Sequence, residues 1–325
     1  MPPAQAHPLE QVLFEVKRTI VGQDVLLERM AVALIADGHL LVEGVPGLAK
    51  TLAVRSLAAA ISGGFQRVQF TPDLVPADLV GTRVYHQHSG EFRTELGPVF
   101  TNLLLADEIN RAPAKVQSAL LEVMQEHQVT IGRETFRVPE PFLVMATENP
   151  IESEGTYPLP EAQVDRFMMK VVVGYPAQNE EQAIVERALR PPDPPQPTVT
   201  TAELMEMRAS ARQVYVDPSI VDYAVRLVAV TRSPGTAGLG ELERYVTYGA
   251  SPRASIALVT GARALALLRG RDYVLPDDLS ELALDVLRHR LVLSYEALAD
   301  DVDADTIISR VLGAVRVPDV VLRNR

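Results

Sequence analysis

The chain of 325 residues contains no cysteine, which excludes disulfide bonds and thiolate metal sites. It has no apolar run long enough to span a bilayer, and it does not begin with a charged segment followed by an apolar one. These absences predict a cytoplasmic protein without membrane insertion. Neither a Gly-x-Ser-x-Gly elbow nor a His-Glu-x-x-His zinc pair occurs, so two common hydrolase patterns are missing.

The chain has few positive charges: it contains 31 Lys and Arg residues and 42 Asp and Glu residues, which give a net charge of −11. Such a balance repels a polyphosphate backbone at long range, and aromatic residues make up only 5% of the chain. We therefore do not expect general nucleic-acid binding, although composition leaves open a local basic pore inside a ring. With 47% hydrophobic residues, the chain is typical of a globular protein that is large enough for two domains.

Short apolar stretches alternate with helical patterns in the first half of the chain. The predicted strands lie at 39–44, 65–70, 99–108, 142–149 and 167–175. This alternation predicts an α/β fold in which a parallel sheet is covered on both faces by helices. Two further segments, 83–95 and 128–138, alternate on either side of Gly90 and Gly132 and predict inserted β-hairpins.

A proline cluster at 190–197 changes the character of the chain. We therefore predict an α/β core at 1–190, a proline-rich linker at 191–199 and a small all-helical domain at 200–325. In the last segment, N-cap residues precede proline at 217–218 and 251–252, and strongly periodic helices follow. The cluster Arg288-His289-Arg290 ends one of these helices, where positive charge suits the helix dipole.

The stretch GVPGLAKT at 44–51 is similar to the phosphate-binding pattern G-x-x-x-x-G-K-[ST], with Ala49 where the pattern has glycine. In such a loop, backbone N–H groups converge on phosphate oxygens, Lys50 neutralises charge and the Thr51 hydroxyl reaches a magnesium ion. Alanine adds only one methyl group, and Gly47 still gives the loop conformational freedom. A tight turn between strand and helix is the alternative. The predicted loop residues are Gly44, Val45, Pro46, Gly47, Leu48, Ala49, Lys50, Thr51 and Leu52.

Two acids end the predicted strand at 99–108, at the edge where ligands bind in open α/β sheets. Asp107 can hold magnesium, directly or through water, and Glu108 can orient and deprotonate an attacking water. Acids also finish many strands at solvent. The loop and the acids, in this order and on these elements, together predict an ATPase.

Three weaker signals give further candidates. Asn149 ends the next strand and can position the same water, although asparagine before proline is also a common turn signal. Arg166 follows a short predicted helix and would stabilise transition-state charge if presented to a neighbour's nucleotide, whereas a surface pair with Asp165 is the alternative. Arg253 lies in the first turn of a helix, which favours phosphate but also fits an ordinary capped helix.

Together these motifs resemble the MoxR-type AAA+ ATPases, from IVGQ at 20–23 to the last helices. The resemblance is carried by GVPGLAKT, by the two acids in LLLADEINRAPAKVQSALLEVMQE, by ATENPIESEGTYPLPEAQVDRF and by YGASPRA. Four separated motifs in this order, with both hairpins between them, are highly specific. Alanine before the lysine is usual in the family that the loop resembles.

The resemblance implies a P-loop AAA+ core with a helical lid, assembled as a hexameric ring that holds ATP or ADP with Mg²⁺ between subunits. By motif match it implies these roles: phosphate and magnesium binding by Lys50 and Thr51, magnesium binding by Asp107, water activation by Glu108, the first sensor at Asn149, the trans arginine finger at Arg166, the second sensor at Arg253, and adenine contact by Val21 and Gly22. Arg111, in INRAP, is a separate hypothesis for a residue that reaches across the subunit boundary.

Family members that the chain resembles act as chaperones that assemble or activate partner proteins, often metal-dependent enzymes, together with a von Willebrand factor A-type protein. The client is not named by any motif. One alternative is the ATPase subunit of a chelatase-like or nucleic-acid-remodelling complex, and a nucleic-acid motor would show salt-sensitive stimulation by DNA. A non-enzymatic, nucleotide-gated scaffold is another alternative, and the presence of Glu108 argues against it.

Overall fold

The computed structural model describes residues 8–45, 47–88, 90–150, 155–190 and 193–319, which form two compact units. One unit contains the described residues up to 166 together with 171–206. The other contains 167–170 and the described residues from 207 onward. The division after residue 206 falls inside a helix, Thr201–Gln213. The domain limits at 190, 199 and 200 stay predictions.

The elements up to residue 189 are a mixture of helices and strands. In chain order they are α1 (Pro8–Thr19), α2 (Asp24–Ala36), β1 (Leu40–Glu43), α3 (Lys50–Ala60), β2 (Phe65–Gln69), α4 (Pro76–Val80), β3 (Gly81–His86), β4 (Glu91–Leu96), β5 (Leu103–Asp107), α5 (Ala114–Glu126), β6 (Gln128–Ile131), β7 (Glu134–Arg137), β8 (Leu143–Glu148), α6 (Glu161–Val164), β9 (Met169–Val172) and α7 (Gln178–Leu189). A short 3-10 helix, Ile109–Arg111, follows β5.

The central sheet has five strands in the order β2-β5-β8-β1-β9. Strand β1 pairs with β8, β8 with β5, and β5 with β2, all in parallel. The side chains of Leu103–Ala106 on β5 are fully buried, as they should be in a strand covered on both faces. The predicted parallel sheet between helices is confirmed. Strand β5 is shorter than the predicted segment 99–108, because turns and bends occupy residues 98–102.

Both predicted hairpins are present as separate antiparallel pairs. Strand β3 pairs with β4 from Gly81↔Leu96 to His86↔Glu91, and β6 pairs with β7 from Gln128↔Arg137 to Ile131↔Glu134. Ser89, in the predicted turn of the first hairpin, lies outside the described residues.

The second unit is mostly helical. Its elements, with the start of α8 still in the first unit, are α8 (Thr201–Gln213), α9 (Pro218–Arg232), β10 (Val246–Tyr248), α10 (Pro252–Leu268), α11 (Pro276–Leu287), β11 (Val292–Leu293), α12 (Tyr295–Ala299) and α13 (Ala304–Ala314). The N-caps are confirmed, because the side chains of Asp217 and Ser251 accept hydrogen bonds from the first turns of α9 and α10. The antiparallel pair of β10 and β11 was not predicted from the sequence. In the described part of the chain, no helix is both long and apolar enough to cross a bilayer.

The cluster Arg288-His289-Arg290 binds backbone carbonyls of the segment 167–170, which belongs to the same unit. Arg288 donates to the Lys170 carbonyl at 2.9 Å, and Arg290 donates to the Phe167 carbonyl at 2.7 Å. The Nε2 atom of His289 lies 3.0 Å from the Phe167 carbonyl oxygen. Burial, with a smaller contribution from the charge of Arg290, lowers the pKa of His289 well below its usual value. The cluster therefore ties two segments together, beyond placing positive charge at a helix end.

We expect the stability of the chain to fall on acidification because of His289. Above about pH 6.5 the imidazole is neutral in both the folded and the unfolded chain. Below about pH 6.5 the unfolded chain binds a proton at this histidine that the folded chain does not bind. Relative to His289→Gln, the wild-type chain should lose up to about 1.4 kcal/mol of unfolding free energy per pH unit below that value. Urea unfolding of both proteins across this range measures the difference. A difference that stays constant with pH would contradict the assignment.

Candidate functional site

A cavity of about 440 Å³ lies at the carboxyl ends of the parallel strands. It is lined by Gly44, Gly47, Leu48, Ala49, Lys50, Thr51, Leu52, Arg67, Gln69, Asp107, Glu108, Thr147, Glu148 and Asn149. Gln69, Asp107 and Glu148 are the last residues of β2, β5 and β8. The structure therefore brings the predicted phosphate loop and both predicted acids to one cavity, at the edge where open sheets bind ligands.

Two positions of the loop, Gly44 and Ala49, favour glycine for different physical reasons. A Cβ atom at Gly44 would lie 2.6 Å from the carbonyl oxygen of Val173, so no side chain fits at this position. Ala49 adopts the left-handed conformation, with φ 55° and ψ 17°, which glycine enters freely and alanine does not. Because Ala49 is exposed, there is space for its methyl group. The energetic cost of alanine at this position comes from its left-handed backbone. Pro46 lies outside the described residues, and Val45 is not part of the cavity lining.

Lys50 begins α3 and points its ammonium group back to the loop. Its Nζ atom donates a hydrogen bond to the Gly44 carbonyl oxygen at 2.6 Å. Burial lowers the pKa of Lys50, and the negative charges of Asp107, Glu108 and Glu43 oppose that shift. An ammonium group has three donors, and the Gly44 carbonyl takes one of them. This half-buried cation at a helix start suits a negatively charged ligand.

Asp107 receives hydrogen bonds on both carboxylate oxygens. Its Oδ1 atom accepts from the Thr147 hydroxyl on β8 at 2.6 Å. Its Oδ2 atom accepts from two nitrogens of Arg67 on β2, Nε at 3.0 Å and a terminal nitrogen at 2.6 Å. Both neighbouring strands of the sheet therefore contribute to the position of this carboxylate.

Glu108 is held through its backbone and through its side chain. Its N–H donates to the Thr147 hydroxyl at 2.8 Å, and its Oε2 atom accepts from Gln69 at 2.8 Å and from Arg111 at 2.9 Å. Its backbone is left-handed, with φ 56° and ψ 54°, which is strained for a residue with a side chain. Arg111 therefore pairs with Glu108 of its own chain in this structure, and its action across a subunit boundary stays a prediction.

The structure brings only some of the remaining predicted residues to the cavity. Asn149 follows β8, is 8% exposed and lines the cavity. Val21 and Gly22 precede α2 and are not part of the lining; a Cβ atom at Gly22 would lie 2.9 Å from the carboxyl carbon of Glu180 on α7.

The two predicted arginines belong to different units of the chain. Arg166 lies between α6 and β9, is not part of the cavity lining, and has a buried Nε atom with no hydrogen-bond partner among the described residues. Arg253 lies in the first turn of α10 in the second unit, where its backbone N–H donates to the Ser251 hydroxyl at 3.1 Å. The predicted roles of both residues stay predictions.

Arg67, Gln69 and Thr147 were missed in the sequence analysis. Arg67 and Gln69 are two residues apart on a strand and therefore share a face, and this spacing was the available signal. Nothing in the local sequence around Thr147 points to Asp107, because the two residues are 40 positions apart.

The chemistry of the lining fits a magnesium nucleotide. The Thr51 hydroxyl, the Asp107 and Glu108 carboxylates and the Asn149 amide offer the oxygen ligands that Mg²⁺ prefers. In the described ranges, no group of three or more His, Asp or Glu side chains is placed to hold a metal by itself. A magnesium ion bound here would therefore take further ligands from phosphate oxygens and water.

A parallel sheet flanked by helices, a phosphate-type loop after its first strand and a helical second unit define an α/β P-loop protein of the AAA+ type. Residues 39–169 match the family described as ATPase family associated with various cellular activities (AAA), and residues 242–311 match the AAA lid domain. The solved structure of a putative ATPase from Cytophaga hutchinsonii has a TM-score of 0.91 and 47% identity, and the match covers 96% of this chain and 95% of that one.

Two curated relatives share most of their length with the chain. It is 57% identical to Chaperone MoxR1 of Mycobacterium tuberculosis over 317 residues, which is 98% of this chain and 84% of the relative. It is 33% identical to Protein MoxR of Methylorubrum extorquens, with 90% of each chain covered. The chain belongs to the MoxR family of AAA+ ATPases.

We expect Ala49→Gly to raise the free energy of unfolding by about 0.5–1 kcal/mol. Removing the strain of a left-handed alanine stabilises the folded chain by about 1–2 kcal/mol. The greater conformational freedom of glycine in the unfolded chain lowers stability by about 0.5–1 kcal/mol. Ala53→Gly, at a right-handed and buried position inside α3, is the comparison and should lower stability by at least about 1 kcal/mol, because glycine has a lower helix propensity and a buried methyl group is lost. Urea unfolding distinguishes the two, and an equal loss from both glycines would show that the position is not strained.

Proposed function

We propose that the chain hydrolyses ATP with magnesium and uses the energy, as a hexameric ring, to remodel protein clients. The observation that carries the proposal is the single cavity shared by the loop around Lys50 and by Asp107 and Glu108. Membership of the MoxR family supports nucleotide hydrolysis, and the relative named Chaperone MoxR1 supports a chaperone-like role.

In this proposal four residues of the cavity carry the reaction. The Lys50 ammonium binds phosphate oxygens, while Thr51 and Asp107 hold the magnesium ion. When bound, the magnesium ion neutralises charge that develops on the phosphate oxygens. Glu108 accepts the proton of the attacking water, and its hydrogen bonds from Gln69 and Arg111 keep the carboxylate in one orientation.

The proposed sensors and the arginine finger complete the site. Asn149 orients the water from the end of β8 as the first sensor, and Arg253 is the second sensor on the lid. Val21 and Gly22 contact adenine. Arg166 does not line the cavity of its own chain, and this supports a role at a neighbouring subunit's nucleotide.

The proposed partners are a second protein of the von Willebrand factor A type and a client, often a metal-dependent enzyme. A cytoplasmic location is part of the same proposal. The alternative role, as the ATPase subunit of a chelatase-like or nucleic-acid-remodelling complex, shares the same chemistry. Metal insertion into a small-molecule ring, or salt-sensitive stimulation of turnover by DNA, would favour that alternative.

We expect ATP turnover per subunit to rise steeply with protein concentration and then to saturate, because a neighbouring subunit completes each site. The decisive test co-expresses two inactive variants, Arg166→Ala and Glu108→Gln, so that both enter the same ring as it assembles. In a ring, the Arg166 of one variant reaches a site with an intact Glu108 in the other, so the mixture should regain turnover. Each variant alone is the control.

Mixed variants that stay as inactive as the separate ones would contradict action in trans, because a residue acting within its own chain cannot complement. Flat turnover from the lowest concentration would then indicate a self-sufficient site. If the combined variants regain turnover while wild-type turnover per subunit does not change with protein concentration, the ring is too tight to dissociate in the range measured.

We expect Glu108→Gln to lower turnover by about 10²- to 10⁴-fold, because the amide cannot accept the proton. Affinity for a fluorescent ADP analogue should change little, since glutamine keeps the shape of the side chain and can still bond to Gln69. Turnover is measured by phosphate release, and binding by fluorescence anisotropy. If neither quantity changes, the chain acts as a nucleotide-gated scaffold and the proposed hydrolysis is wrong.

A further inference from the structure

Arg67 places a cation on the carboxylate that is proposed to hold magnesium. Both of the nitrogens that contact Asp107 converge on the Oδ2 atom, at 3.0 and 2.6 Å, while the Thr147 hydroxyl occupies Oδ1. In this arrangement, each carboxylate oxygen already has a donor. A carboxylate oxygen has about two acceptor sites, so Arg67 fills Oδ2, whereas Oδ1 keeps one site beside the Thr147 hydroxyl. A magnesium ion at Asp107 therefore either displaces the guanidinium from Oδ2 or binds Oδ1 next to a like charge.

The fold explains why the guanidinium reaches Asp107. Strand β2 pairs with β5 so that Gln69 lies opposite Asp107, and Arg67 lies two residues earlier on the same face. The side chain of Arg67 therefore extends along β2, donates to the Gln69 side-chain oxygen at 2.7 Å and ends at the carboxylate. The pairing of β2 with β5 sets the distance between Arg67 and Asp107, so the contact between them follows from the fold.

The contact between Arg67 and Asp107 is held by charge more than by packing. The side chain of Arg67 is 47% exposed, whereas that of Asp107 is 18% exposed. Because the guanidinium side of the pair is about half exposed, Arg67 can move into solvent at a modest cost. Asp107 and Glu108 are adjacent acids at one cavity, and a nearby cation reduces the repulsion between them.

We propose that Arg67 is a resident counter-cation for Asp107, which it binds in the absence of a divalent metal and releases when magnesium enters. Arg67 then sets the magnesium concentration at which the site takes a nucleotide, and it keeps the site electrically balanced before the metal arrives. This inference depends on the proposed function, because it needs a magnesium nucleotide in the cavity.

The test is binding of a fluorescent ADP analogue to the full chain, titrated with magnesium and also measured in EDTA. Arg67→Met keeps the apolar length of the side chain and removes its charge. The half-saturating magnesium concentration should fall about two- to fivefold, because the competing cation is gone. In EDTA, binding should weaken, because the charge of Asp107, no longer paired with Arg67, repels the phosphates more strongly.

Two further variants sharpen the result. Arg93→Met is the matched control, since Arg93 lies on β4, is 64% exposed and does not line the cavity; it should leave both quantities unchanged. Arg67→Lys keeps the charge but loses the two-nitrogen contact, so its half-saturating magnesium concentration should lie between those of the wild type and Arg67→Met.

The opposite changes in EDTA and in the magnesium titration identify competition, since a purely structural role would weaken binding equally in both conditions. An equal loss, or an unchanged or higher half-saturating magnesium concentration in Arg67→Met, would overturn the inference. A wild-type chain that shows no magnesium-dependent nucleotide binding would overturn the proposed function as well, and this separates the two failures.

Discussion

Parallel pairing of β1, β8, β5 and β2 is the constraint on which the site depends, because it places the ends of these strands along one edge. Backbone hydrogen bonds fix the register, and the register fixes which side chains meet. Gln69 comes opposite Asp107, and Thr147 follows Ala146, the partner of Ala106. A shift of one residue in either pairing would turn these polar groups to the other face of the sheet. The chemistry of the edge is thus a result of strand register.

The acids at this edge are held by side chains of neighbouring strands as well as by their own backbone. Thr147 contacts both acids, as an acceptor for the Glu108 N–H and as a donor to Asp107. Glu108 also keeps a strained left-handed backbone, which persists only where the surroundings determine it. Hydrogen bonds from three directions provide that determination. Both carboxylates are therefore oriented before any ligand enters.

Patterns that are local in sequence predicted most of the fold. Alternating strands, both hairpins and the N-caps at Asp217 and Ser251 depend on residues a few positions apart, and all were confirmed. The loop and the two acids were also predicted to meet, because strand ends converge. Contacts between distant positions could not be predicted. The pair Arg67–Asp107 and the bonds from Arg290 to the segment 167–170 join residues 40 and more than 120 positions apart, and no local pattern records such partners.

Strand β2 forms one end of the sheet, so it has a single neighbouring strand in the described structure, and much of its surface is solvated. By contrast, β5 is paired on both sides and its apolar residues are fully buried. The local free energy of opening should therefore be lower at β2 than at β5. The cavity thus combines a rigid wall, made of Asp107 and Thr147, with a compliant one, made of Arg67 and Gln69. The wall formed by β2 can therefore open locally while the pairing of β5 with β8 stays intact.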